Sequence, residues 1–160
     1  MSSLFAPQEA QFRHVSPTLA KVRMAGTAIS GLVFTTPFIA LAIWLSPWFW
    51  IGVAVMLVLH IWPAVLINRQ VKATQYALGE NELFIRTGIM FKHLTVIPYG
   101  RIQFVDLAEG PIARKFGMAD IKINTASAST DATIPGVPTA EAVALRTYLA
   151  ERGEAEMAAM

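Results

Sequence analysis

Apolar and polar positions divide this chain into two regimes. From Met24 to Leu45 and again from Trp48 to Ile67 no Asp, Glu, Lys or Arg occurs, and only Ser46-Pro47 separates the two runs. Wound as α-helices, each is long enough to cross a hydrocarbon core of about 30 Å. The pattern predicts a helical hairpin in a bilayer. Ser16-Pro17 reads as an N-cap followed by proline at the first helical position, so the first helix begins before the hydrocarbon.

Beyond residue 73 the apolar runs shorten and alternate with turn residues, which predicts strands. Thr74–Leu78 stops at Gly79-Glu80-Asn81, Leu83–Thr87 at Gly88 and Leu94–Ile97 at Pro98, while Ile102–Leu107 alternates apolar and polar positions. Gly110-Pro111 and Gly117 bracket one helical turn, Ile112–Phe116, with Arg114 and Lys115 aimed outward. Asp120–Asn124 reads as a strand, Ala126–Thr133 as a mobile loop, and Thr133-Ile134 as a brief pairing before Pro135-Gly136. Thr139 as N-cap, Glu141 in the first turn and the stripe Ala142, Leu145, Leu149 predict a closing amphipathic helix. Such a set of elements points to a small barrel or sandwich plugged by that helix.

Composition sharpens the division. The chain is 54% hydrophobic and 15% charged, with a mean hydropathy of +0.48, but the charge is unevenly spread. Residues 1–72 hold Arg13, Lys21, Arg23, Arg69 and Lys72 against one acid, Glu9; residues 73–160 hold eight basic and ten acidic residues. The pI near 9.2 therefore reflects residues beside the spans, and nucleic acid is not expected as a partner. Lys21 and Arg23 precede the first run, Arg69 and Lys72 follow the second, and the tip between them is uncharged. These four are the topology determinants: by the positive-inside rule both termini and the domain are expected in the cytoplasm. The first 23 residues are too polar for a secretory signal, and the run after them is too long for a signal core, so it is expected to remain as a span. The expected organisation is a flexible N-terminus over 1–15, a hairpin over 16–72 with spans at about 24–45 and 48–67, a domain over 73–152 and a frayed tail over 153–160.

Within the hairpin, Trp44, Trp48 and Trp50 cluster at the tip as interface anchors, their indoles suited to the headgroup level. Pro37 and Pro63 deprive the carbonyls of Val33 and Leu59 of their helical donors, and a kink is expected at each. Gly26, Ser30 and Gly31 put small residues on one helix face, a candidate helix–helix contact serving either the hairpin itself or another subunit. His60 is an ionisable residue inside a span and so a functional candidate, set against a neutral packing role, because neither span offers it an acidic partner.

Several short motifs resemble one family. Tyr76-Ala77-Leu78, then Ile97-Pro98-Tyr99-Gly100-Arg101-Ile102-Gln103, then Gly110-Pro111-Ile112-Ala113-Arg114-Lys115-Phe116-Gly117, and finally Ile134-Pro135-Gly136-Val137 with Glu141-Ala142 and Leu145-Arg146, resemble the bacterial pleckstrin-homology (PH) domain membrane proteins of the YdbS-like kind. The resemblance covers roughly residues 16–152; Gly100 and Phe104 depart from it, standing where polar residues are common. It implies a two-helix transmembrane hairpin plus a mainly-β PH-like domain, two packed antiparallel sheets or a partly open barrel, capped by a C-terminal α-helix. It also implies residence in the bacterial cytoplasmic membrane and partnership with another membrane protein carrying the same kind of domain.

Candidate chemistry is sparse. There is no GxSxG elbow, Walker loop or HExxH, the three histidines are scattered, and cysteine is absent, so no catalytic residue, metal or cofactor is expected. Asp106 and Glu109 point to opposite faces of a strand and make a poor acid/base pair. Phosphoinositide-binding PH domains carry basic residues at the first strand turn, and here that turn is Gly79-Glu80-Asn81. Arg86, Lys92, Arg101, Arg114, Lys115 and Lys122 nonetheless form a candidate surface for membrane lipids or a partner. Two readings follow: a membrane-tethered module for protein interaction and assembly, or a domain that binds anionic headgroups.

Overall fold

A computed structural model of the protein describes residues 11–127 and 130–158. Two long helices, α1 (Thr18–Trp44) and α2 (Phe49–Ala73), form the hairpin. Each is long and apolar enough to cross a membrane. Both run through their prolines, Pro37 and Pro63, as continuous helix. Ser16 caps α1 as its sequence suggests: its hydroxyl accepts from the Thr18 N–H at 3.3 Å, and its carbonyl from that of Leu19 at 3.0 Å.

The first sheet has the order β1-β2-β3-β4, all antiparallel, from Arg13–His14, Gln75–Leu78, Glu82–Thr87 and His93–Pro98. A 3-10 turn, Tyr99–Arg101, leads to the second sheet, β5-β6-β7, from Ile102–Ala108, Met118–Thr125 and Ala132–Pro138. The short helix α3 (Pro111–Lys115) joins β5 to β6, and α4 (Thr139–Ala158) closes the domain against the second sheet and the 3-10 turn. The sheets do not close on each other, so the architecture is an open PH-like sandwich capped by a helix, not a sealed barrel. The stripe Ala142, Leu145 and Leu149 faces the core.

Several expectations need correction. The expected flexible N-terminus fails over residues 13–15: Arg13 and His14 pair with Tyr76 and Gln75, and Val15 is buried in the core. Pairing to β2 satisfies backbone groups that no local sequence signal could assign. Residues 1–10 of that segment lie outside the described residues. The tail expected to fray from Gly153 is helical to Ala158, while 159–160 lie outside the described residues. Gly153 is not a stop signal. A Cβ there would stand 3.3 Å from the Tyr99 carbonyl oxygen, so glycine lets the helix pass close to the 3-10 turn. Pro135-Gly136, read as the end of a brief pairing, instead lies inside β7. Gly136 has φ +65° beside a shift in the β6–β7 register, the conformation of a glycine-bearing bulge. The segment read as a mobile loop folds back on itself: the Thr125 N–H donates to Asp131 at 2.8 Å, and the Thr125 and Thr130 hydroxyls are hydrogen-bonded to each other; residues 128–129 lie outside the described residues.

The boundary drawn at residue 73 also dissolves. One cluster joins Val15, Leu19, Ala20, Ile67 and Val71 to Ile85, Ile97, Ile121 and Leu145. The inner ends of the hairpin helices are therefore part of the domain core. Excluding water from those side chains stabilises the junction, at about 1.5–3 kcal/mol for each fully buried Leu, Ile or Val.

Candidate functional site

Strand register gives the domain two ends. β2 begins two residues after α2 stops, and its first residue, Gln75, pairs with His14 on one side and Arg86 on the other. His14 in turn precedes α1. The row His14–Gln75–Arg86–Leu94 thus marks the hairpin end. The turn Gly79–Asn81 lies at the far end, with the 3-10 turn held to it: the Tyr99 N–H donates to the Asn81 carbonyl at 3.0 Å and the Tyr99 hydroxyl to that of Gly79 at 3.0 Å.

The six basic candidates do not form one surface. Arg86 and Lys92 sit at the hairpin end of the first sheet, by register. Arg114 and Lys115 lie on α3, which packs against α1; Ile112 of α3 lies 4.0 Å from where a Cβ on Gly26 would be. Gly26 stands at the start of the apolar run, so α3 is held at the level where α1 becomes hydrophobic. Arg114 approaches Glu109 at 3.9 Å, an exposed pair of small energetic weight. Arg101 is at the far end, in a depression of about 230 Å³ with Asn81, Glu82 and Glu156. Lys122 lies mid-strand on β6 opposite Asp106. Four of the six thus share the hairpin end and two do not.

A polar clasp locks that end. The Tyr76 hydroxyl donates to Glu141 Oε1 at 2.8 Å, and Arg13 approaches the same oxygen at 4.0 Å. Burial first, and then the bond to Glu141, push the Tyr76 phenol up to about 12. Tyr76 and Glu141, with His14, Ser16 and Val137, line a cavity of about 180 Å³, small for a ligand pocket. Beside it Leu19 of α1 packs on Gly136: a Cβ there would come within 2.8 Å of the leucine side chain. Tyr99 is the matching anchor at the far end. Its ring is fully buried and edge-on to Tyr148 at 6.3 Å, and burial raises its phenol pKa, with the nearby Tyr148 adding to the effect. Tyr76 and Tyr99 lie in the motifs singled out by resemblance, but only the contacts reveal their role as clasps.

In the hairpin, the small-residue face splits between two neighbours. Gly31 faces α2, where a Cβ would stand 3.3 Å from the His60 ring, and Gly26 faces α3. The Ser30 hydroxyl turns back to donate to the Thr27 carbonyl at 3.0 Å. His60 is stacked near Phe34, with ring centroids 6.4 Å apart, and its Nδ1 lies 2.8 Å from the Met56 carbonyl, a contact in which Nδ1 is the donor. Trp44, Trp48 and Trp50 are all exposed at the tip. Lys21, Arg69 and Lys72 are exposed and Arg23 half-buried, all at the domain end of the helices.

Among the described residues no group of three or more His, Asp or Glu is placed to hold a metal ion. Asp106 lies on β5, whereas Glu109 stands just beyond the end of that strand, 3.9 Å from Arg114. Among the described residues the strand β5 has a strand partner, β6, on one side only, and α4 packs along it. The seven residues of β5 include neither Pro nor Lys, and Phe104 on it is 53% exposed. Arg146 Nε donates to its Val105 carbonyl at 3.1 Å.

Comparison with known proteins agrees with this architecture. Residues 19–153 match the bacterial PH domain family. A stretch of 75 residues is 36% identical to the UPF0699 transmembrane protein YdbS of Bacillus subtilis (strain 168), covering 47% of this chain and 46% of that protein. The matched stretch is thus about half the length of each. No solved structure matches the chain.

Proposed function

The chain belongs to the bacterial PH domain family and is a membrane protein similar to a transmembrane relative, and from that premise we propose that its domain is a non-enzymatic module for assembly with another membrane protein. In this reading the chain crosses the bacterial cytoplasmic membrane twice, with both termini and the PH-like domain in the cytoplasm. Lys21, Arg23, Arg69 and Lys72 at one end of the hairpin, against an uncharged tip, support that orientation. The partner is a second membrane protein bearing the same kind of domain.

The observation that carries the reading is β5, which among the described residues pairs as a strand with β6 alone and exposes Phe104. An unpaired strand offers a row of backbone donors and acceptors to another chain, and proteins that stay alone usually blunt such edges with Pro, Lys or a covering segment. Here α4 covers part of β5, with Arg146 taking one carbonyl, while Phe104 remains exposed as an apolar anchor on the same strand. Tethering at the membrane raises the effective concentration of such a surface for partners in the same plane.

The test is gentle purification of the tagged full-length protein from its native membrane, with mass spectrometry of what is retained. The expected result is a second membrane protein at near-stoichiometric yield, lost from a Phe104→Lys variant that still inserts. Retention of no protein, or retention unchanged by the variant, overturns the reading.

A second reading, contact with anionic headgroups, is favoured by one observation: Lys92, Arg114 and Lys115 share the hairpin end with Arg86. Each basic group near an anionic surface contributes on the order of 1 kcal/mol.

A further inference from the structure

The link between β3 and β4, Gly88–Lys92, exposes three successive large apolar side chains: Ile89 is 39%, Met90 85% and Phe91 76% accessible. Such a run facing water is unfavourable unless something covers it. The opposite turn of the same sheet, Gly79–Asn81, carries Glu80 and Asn81 instead. Two turns of one sheet therefore have opposite chemistry.

Their placement follows the same polarity. Gln75, two residues beyond the end of α2, pairs with Arg86, and Thr87 pairs with His93 one step further on. β3 packs against α2, and Ile85 shares a core with Ile67 and Val71. At roughly 3.3 Å per residue, the link reaches about 10 Å past Gln75, on the side from which both helices leave. The six steps along α2 from Ile67 to Ala73 span about 9 Å. Measured along the chain, the link thus reaches back about as far as Ile67, where the apolar run ends.

The link is also held in shape. Gly88 has φ +94°, and a Cβ on it would collide with the Phe91 carbonyl, so the backbone closes tightly there. Lys92 and Arg86 flank the apolar tip. Apolar side chains backed by cations are the composition of an element seated between headgroups and acyl chains.

We propose that Ile89, Met90 and Phe91 insert into the interfacial region of the same bilayer that the hairpin spans, with Lys92 at the phosphates. This goes beyond headgroup contact, which involves charge alone. The wedge, α3 and the hairpin then hold the domain at three places and fix which face it turns to partners.

Because the chain has no cysteine, Met90→Cys gives a single labelling site. The full-length variant, carrying an environment-sensitive fluorophore, is reconstituted in vesicles of phosphatidylcholine and phosphatidylglycerol, with Glu80→Cys as the far-end reference. The expected result at position 90 is a blue-shifted emission, quenching by lipid-borne quenchers and loss of quenching by aqueous iodide, with the converse at position 80. A label at 90 as open to iodide as that at 80 overturns the proposal. So does one shielded from iodide yet untouched by lipid quenchers, which would mean a protein, such as a second copy, covers the tip. Matching circular dichroism of the two variants establishes that both are folded.

Discussion

Gly31 of α1 and His60 of α2 face each other across the hairpin, where a Cβ on the glycine would stand 3.3 Å from the imidazole ring. The small residue at 31 thus makes room for the ring that bonds to the Met56 carbonyl, and the two features join in one helix–helix contact. Without a hydrophobic driving force between helices in lipid, such close packing is what holds them together.

Gly31→Leu is therefore expected to destabilise the hairpin by about 1–3 kcal/mol through overpacking. Gly26→Ala, whose Cβ would meet Ile112 at an ordinary 4.0 Å, should be tolerated. Thermal midpoints of the two full-length variants in one detergent check the contrast; equal midpoints would remove Gly31 from the contact.

Gly136 and Gly117 both have positive φ, +65° and +63°, but only Gly136 is crowded, by Leu19; nothing lies within 4 Å of a Cβ on Gly117. Gly117→Ala should cost the left-handed backbone strain alone, about 1 kcal/mol. Gly136→Ala adds the collision with Leu19 and should cost about 2–3 kcal/mol in total. Unfolding of the full chain monitored by tryptophan emission and circular dichroism measures the difference, and a larger loss at Gly117 would contradict it.

The Tyr76–Glu141 bond gives an alkaline limit to stability. The folded phenol is raised to about 12 from 10.0, so below about pH 10 it is protonated in both folded and unfolded chains and its contribution is complete. Between about 10 and 12 the unfolded chain ionises first, and the contribution is lost as pH rises. Tyr76→Phe should cost about 1 kcal/mol at pH 7 and flatten that part of the pH–stability curve, as read by denaturation at pH 8 to 12.

Location separates the basic residues. Arg114→Glu with Lys115→Glu, at the level where α1 enters its apolar run, should reduce the phosphatidylglycerol that co-purifies with the full-length protein, and the effect should shrink in high salt. Arg101→Glu, at the far end beside Glu82 and Glu156, should leave it unchanged. Equal loss from both variants would mean that the headgroup contact is not confined to the hairpin end.

Periodicity and length made the two long apolar helices, most of the strands and the stripe of α4 legible, because each is a local property of consecutive residues. The flanking cations and the tip tryptophans were legible for the same reason. Function was harder to read, since no residues at catalytic spacing occur and the informative surfaces are assembled from distant segments. The six basic residues look alike in sequence; register alone puts Arg101 and Lys122 apart from the rest.

By itself the sequence determined two long apolar helices in a hairpin, followed by a small β-rich domain with a closing helix, since helix length, apolar runs and side-chain alternation act within a few residues. The tertiary structure alone decided that hairpin and domain share one core, that Arg13–His14 complete a sheet with residues sixty positions away, and that Gly136 and Gly153 are close approaches rather than breaks. It also decided that an apolar turn and a basic helix share one end of the domain. These depend on strand register and on which surfaces exclude water together, and both are settled only between segments far apart in the chain.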